Sequence, residues 1–170
     1  MLSRVIYGAR VSLLVGATVT LFSALIGSVL GLLSGYYSRF DTPIMRIMDG
    51  MMAFPSILLA IAIMASLGPS TRNVLIALTV VYVPTIARLV RGSTPVLKQH
   101  PLWNRPAPLA CAITDSRALR LPERAVSLIV QCTFVLAFAI ISEASLSFLG
   151  AGVPPESLSW GNMLRRMARS

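Results

Sequence analysis

Acidic residues are scarce in this chain, with six Asp and Glu against fifteen Lys and Arg in 170 positions, and all charged residues together make up only 12%. A soluble domain carries roughly 25% charged residues, so this composition argues against a water-facing surface over most of the chain. Histidine occurs once, at His100, with no acidic or cysteine neighbour to make a catalytic pair or a metal site, and it reads as a solvated loop residue. The two cysteines, Cys111 and Cys132, match no disulfide or metal-ligand spacing and read as structural or incidental. There is no Ser/His/Asp set, no metal cluster and no phosphate-cradling glycine loop, so the chain is expected to be neither an enzyme nor the holder of a cofactor. Glu143 with its nearby serines reads as a helix terminus. A cleavable signal peptide is not expected either, because the first apolar run lacks a small-residue cleavage site and exceeds the usual h-region of about 7–15 residues.

Apolar residues are what the chain has in abundance, at 55% of positions, with a mean hydropathy of +0.76. A net charge of +9 would ordinarily raise nucleic acid as a partner. Here the charges fall in short clusters between long uncharged runs, the pattern of basic loops at a lipid surface, and nucleic acid is not expected. Seven of the fifteen basic residues lie between Arg88 and Arg124, separating two hydrophobic blocks.

The runs themselves predict an all-α, polytopic membrane bundle of about four transmembrane helices. The first run, Val11–Ser38, has 28 uncharged residues and crosses a hydrocarbon core of about 30 Å with tilt. Gly27, Gly31 and Gly35 recur on one face of it, a spacing that lets a second helix pack closely. The second run is Gly50–Thr71, preceded by Arg46 and Asp49 on a shared face as an interfacial pair, and Pro55 is expected to kink it. Leu67-Gly68-Pro69-Ser70 reads as a tight turn. The third run, Asn73–Ala87, has 15 uncharged residues, so Arg88 and Arg91 are expected to help span by snorkelling toward headgroups. Pro84 is expected to kink this third helix as well. The fourth, Ala125–Ser142, is expected to start near Pro122 and Glu123 and to close at Glu143. Past Glu143 the chain turns to Ser, Gly and Pro, without a span of its own, and Trp160 is a candidate interfacial anchor.

Four spans place nine basic residues on the side of the 88–124 loop and six on the other. The positive-inside rule then puts that loop in the cytoplasm and both termini outside. An N-terminus with two arginines would have to be translocated unaided, which leads us to expect a further span upstream.

Three segments resemble a known family. Leu2-Ser3-Arg4-Val5-Ile6-Tyr7-Gly8-Ala9-Arg10-Val11-Ser12-Leu13 is similar to the entry of its second membrane helix. Arg46-Ile47-Met48-Asp49 with Phe54-Pro55 is similar to its third. Ser142-Glu143-Ala144-Ser145-Leu146-Ser147-Phe148-Leu149-Gly150, continuing through Gly152-Val153-Pro154-Pro155 to Ser159-Trp160-Gly161-Asn162-Met163-Leu164, is the most specific. These resemble the inner-membrane permease subunits of ATP-binding-cassette importers, in the branch that handles dipeptides, oligopeptides and nickel. The resemblance implies a type-1 permease transmembrane domain over 1–164, lacking the family's first and last helices, a diverged coupling region over 99–124, and a basic tail over 165–170. It also implies a homologous second permease subunit, two cytoplasmic ATPase subunits that hydrolyse the ATP, an extracytoplasmic solute-binding protein, and a peptide as substrate, with nickel as the alternative. A small membrane scaffold without transport activity is the rival reading.

The family's coupling helix carries Glu-Ala-Ala, three residues, then Gly, and later Ile-x-Leu-Pro. Here those positions fall on Trp103, Asn104 and Arg105, on Leu109, and on Leu119, Leu121 and Pro122, of which only the last group resembles the pattern. Pro101, Pro106 and Pro108 would interrupt a short docking helix, since each removes a backbone donor. Likeness is lost abruptly while length is nearly preserved, so residues about 100–120 are expected to be read out of frame in a truncated or inactive copy. The coding DNA checks this: a small insertion or deletion near Gln99 and its compensation near Leu119 should restore Glu-Ala-Ala and Gly in another frame. An intact single frame would leave a diverged loop instead.

Overall fold

The computed structural model describes residues 2–93, 110–154 and 159–168, and of these the side chains of 2–5, 38 and 110–125 are left aside. Among the described residues six helices follow in order: α1 (Leu2–Tyr36), α2 (Ser38–Met52), α3 (Ser56–Leu67), α4 (Thr71–Ser93), α5 (Ala110–Leu149) and α6 (Trp160–Met167). Among these residues three stretches are long and apolar enough to cross a membrane, Ile6–Tyr36, Thr71–Ser93 and Val126–Leu149. The bent pair α2–α3 adds a fourth if it is counted as one span. The expected all-helical polytopic bundle is therefore the observed architecture.

α1 is the central helix because its small residues let neighbours approach from two sides. A Cβ added at Gly27 would lie 2.8 Å from Cβ of Ile86, and one at Gly31 would lie 2.6 Å from the carbonyl oxygen of Ala87, both on α4. At Gly16 the added carbon would meet Ile140 of α5 at 2.7 Å. Gly35 is half-buried near the end of the same helix. Around this axis Val15 and Val19 of α1 pack with Val74, Leu78 and Ile86 of α4 and with Val135, Ala139 and Leu146 of α5. Ala60 and Met64 of α3 extend that core along α4, whereas Met45 and Met48 of α2 form a separate cluster with Val83 and Ala87. The opposite faces of α1 and α5 expose Leu14, Phe22, Leu25, Ile129, Phe134 and Phe138, an apolar surface suited to lipid or to another membrane helix.

The second run is interrupted more sharply than a kink. α2 and α3 meet at 95°, because Pro55 has no N–H to continue the ladder and biases Phe54 away from helical backbone. The expected turn at 67–70 is present: Gly68 takes φ of 82°, and the Asn73 amide donates to the Leu67 and Gly68 carbonyls at 2.7 and 2.9 Å, closing the end of α3. α4 continues through Pro84 as one helix and carries Arg88 and Arg91 within it.

Two boundaries differ from the sequence reading. α5 begins at Ala110, so Pro122 and Glu123 lie inside it rather than at its start, and it continues to Leu149 instead of closing at Glu143. The run of uncharged residues marks the apolar part of that helix, not its ends. Likewise the stretch after Glu143 is not all loop, since α6 extends through Arg165 and Arg166.

Substituting Gly31→Leu should lower the thermal midpoint of the detergent-solubilised protein markedly, since overpacking costs typically about 1–3 kcal/mol. Gly50→Leu is the control, because no atom lies within 4 Å of its added Cβ, and its midpoint should stay close to that of the unmodified chain.

Candidate functional site

Two polar clusters fasten the bundle, and α1 contributes a buried serine to each. Ser12 and Ser34 are 22 residues apart on this continuous helix, a separation of about 33 Å at 1.5 Å per residue. The clusters therefore lie toward opposite ends of the bundle.

At the Ser34 end, Arg91 of α4 grips Asp41 of α2 with two nitrogens, Nε to Oδ1 at 2.6 Å and Nη2 to Oδ2 at 2.7 Å. Ser34 donates to the same carboxylate at 2.6 Å, joining α1 to the pair. One turn earlier on α4, Arg88 pairs with Asp49 of α2, with both side chains at least half exposed. This corrects two expectations. Asp49 takes its ionic partner from α4 and not from Arg46 on its own helix, and Arg88 and Arg91 reach across to carboxylates instead of extending toward headgroups. A bidentate guanidinium–carboxylate fork is the geometry that rewards arginine there.

At the Ser12 end, Glu143 is fully buried within α5. Ser12 donates to its Oε2 and Ser147 to its Oε1, each at 2.8 Å. Ser147 in turn accepts the Val153 amide at 3.2 Å, and Ser12 accepts the Trp160 amide at 3.5 Å. The surrounding backbone is tight: an added Cβ would stand 2.4 Å from the Ser147 nitrogen at Gly152 and 2.3 Å from the Ala144 carbonyl oxygen at Gly161. Ser159 caps α6 by accepting from the Asn162 amide, and the Asn162 side chain donates to the Val153 and Pro154 carbonyls at 3.2 and 3.0 Å. The reading of Glu143 as a helix terminus is thus overturned by its position in the middle of a polar knot. Nearby, the Tyr82 hydroxyl of α4 shares a 2.8 Å hydrogen bond with Ser142.

Between the two ends, the α2–α3 break leaves an open cleft of about 190 Å³ bounded by Met51, Met52 and Phe54 and by Val81, Tyr82 and Thr85 of α4. Its lining has no ionisable carboxylate or amine, and ligand pockets usually occupy about 300–1,000 Å³. Among the described residues no cluster of three or more His, Cys, Asp or Glu is placed to hold a metal ion.

No protein-family model matches the chain. Individual proteins do. The chain is 49% identical over 165 residues to a protein named as a peptide transport system permease in Brucella suis biovar 1, covering 95% of this chain and 55% of that protein. This chain is similar to transport permeases. It is also 43% identical over 166 residues to the dipeptide transport system permease protein DppC of Alkalihalophilus pseudofirmus, with 95% and 54% covered. Against the glutathione transport system permease protein GsiD of Pectobacterium atrosepticum, identity is 43% over 172 residues, with 99% and 56% covered. The chain thus spans about half the length of the permeases it matches. The resemblance first seen in three short segments extends over nearly all of this chain, and its helices long and apolar enough to cross a membrane form a polytopic helical bundle.

The residues expected to couple such a permease to its ATPases fall partly outside the described residues and partly within α5. Trp103, Asn104, Arg105 and Leu109 lie outside the described residues, and Leu119, Leu121 and Pro122 fall within the helical span of α5. The Ser34 cluster escaped motif reading, while Ser12 and Glu143 fell within segments that carried the resemblance, without any indication that they would meet.

A double-mutant cycle on Asp41 and Arg91 should return a coupling of about 0.5–1 kcal/mol or more in unfolding experiments, above that for Asp49 and Arg88, whose side chains are more exposed. Arg91→Lys should lose most of the coupling despite keeping the charge, because the fork is lost.

Proposed function

We propose that the chain serves as a permease subunit of an ATP-driven importer, passing short peptides across the bacterial inner membrane. The observation that carries this reading is 42–49% identity, over 95% or more of the chain, to proteins named for peptide, dipeptide, di/tripeptide and glutathione transport. Glutathione is itself a tripeptide, so these names converge on substrates of two or three residues. The chain supplies no bond-making chemistry to this work. ATP hydrolysis belongs to two cytoplasmic ATPase subunits, substrate is delivered by an extracytoplasmic binding protein, and a homologous second permease completes the pathway.

In this scheme the basic stretch from Arg88 to Arg124 is the face presented to the ATPases, with Trp103, Asn104, Arg105, Leu109, Leu119, Leu121 and Pro122 at the coupling position. The stretch joins α4 to α5, the two helices packed against α1. Movement imposed on it is transmitted along α4, whose end is tied to α2 by the Asp41–Arg91 and Asp49–Arg88 pairs. The α2–α3 break lets α2 respond without dragging α3. The departure of 103–109 from the Glu-Ala-Ala and Gly pattern bears on the strength of this coupling, and it is the feature that favours an inactive copy as the second reading.

Expression in a permease-null strain that supplies the companion permease, ATPases and binding protein tests the proposal. Dipeptide uptake, with co-purification of the ATPases from membranes, is the expected result. Stable insertion without either would leave an inactive copy or a membrane scaffold.

A further inference from the structure

We propose that Glu143 is a positioning residue: it holds the Gly150–Pro154 turn and α6 as a fixed cap on one end of the bundle, making that end the stationary one. Its carboxyl group has two acceptor oxygens, and each takes the single proton of one serine hydroxyl, from Ser12 on α1 and from Ser147 on α5. With those protons committed, the lone pairs of each hydroxyl are turned toward a backbone amide, Trp160 at the start of α6 and Val153 in the turn. Two relays, each running amide to hydroxyl to carboxyl, thus converge on one buried side chain from the two pieces of the cap.

Other helical hydroxyls in the chain show what Ser12 and Ser147 would otherwise do. Thr20, Ser23 and Ser145 each donate to the carbonyl four residues earlier in their own helix, at 2.8, 2.7 and 2.8 Å. That local bond is always available to a serine or threonine in a helix. Ser12 and Ser147 donate to Glu143 instead, so the carboxyl diverts both from their local carbonyls and spends them on holding the cap. Glycine is required at 152 and 161 for the same reason, since the cap must sit close enough for its amides to reach the hydroxyls.

The other end of the bundle is fastened differently. The Asp49–Arg88 side chains are 60% and 50% exposed and those of Asp41–Arg91 29% and 42%, so water or a headgroup can reach both pairs, and exposed pairs exchange at little cost. Glu143 has no such substitute, being fully buried. Resting on the permease reading, this asymmetry assigns movement to the α2 end and fixity to the Glu143 end.

Thiol accessibility decides the clasp. In a chain with Cys111→Ser and Cys132→Ser, Val153→Cys places a thiol at a site that is 3% exposed in the cap, and Met48→Cys places one at a site that is 7% exposed near the ion pairs. Labelling by a maleimide in membranes should be slow at both. Glu143→Ala and Ser12→Ala should each speed labelling at 153 by about tenfold or more without altering labelling at 48, with Glu143→Gln between because it keeps one acceptor oxygen. Ser12→Ala removes only one oxygen atom and keeps the readout available if Glu143→Ala does not insert. Unchanged labelling at 153 in both Ser12→Ala and Glu143→Gln, or equal acceleration at 48, would overturn the clasp. With the partner subunits present, Glu143→Ala should lose peptide uptake while the partner ATPases still hydrolyse ATP, and unchanged uptake would overturn the fixed role of this end. Absence of uptake by the unmodified chain would count against the permease reading itself, and the labelling result would stand apart from it.

Discussion

A polar side chain inside a membrane-crossing bundle has no water to turn to, so it must find its partner within the protein. That constraint organises this molecule. Its helices bury mainly valine, alanine, leucine and isoleucine against one another, and lipid tails are as apolar as those side chains, so burial alone gives little preference for one arrangement over another. Orientation has to come from the few groups that cannot be left unsatisfied. Ser12 with Glu143, Tyr82 with Ser142, and Ser34 with Asp41 and Arg91 each admit one register between the helices they join. Close approach at Gly27 and Gly31 brings α1 beside α4, so that Arg91 of α4 can grip the same Asp41 carboxylate that accepts from Ser34.

What could be read from the sequence follows from how local each signal is. Uncharged runs, the 67–70 turn and the interruption at Pro55 depend on neighbours a few positions away, and all three appear where expected. The angle at Pro55 did not follow, because a missing donor weakens the helix but does not say how far the chain will fold back. Glu143 was misread for a related reason. A carboxylate that ends a run of 18 uncharged residues looks like a helix end, and its true partner, Ser12, is 131 positions away. The same holds for Asp49: a cation three positions off on its own helix was visible, while Arg88, 39 positions on, was not. Charge pairing across helices is decided by packing, and packing by small residues whose faces are chosen only once the partner helix is in place.

The most family-specific stretch, Ser142 to Leu164, also acquires a physical content. Its serines, glycines and acid are a set with one purpose in space: the acid orients two hydroxyls, the hydroxyls hold two amides, and the glycines let those amides come close. Replacing any member by a residue of similar hydropathy would keep the composition and lose the arrangement.

The basic stretch between α4 and α5 stands at the opposite extreme. Its first two arginines, Arg88 and Arg91, are tied into the bundle by Asp49 and Asp41. In the proposed coupling role its remaining residues answer to a surface outside the chain, and the departure of 103–109 from the expected pattern is a change in that outer contact. A bundle that folds on its own ties can retain its architecture after the outer contact has been altered. In the proposed role, folding and coupling therefore rest on different residues, and a well-packed helical bundle is by itself no measure of transport.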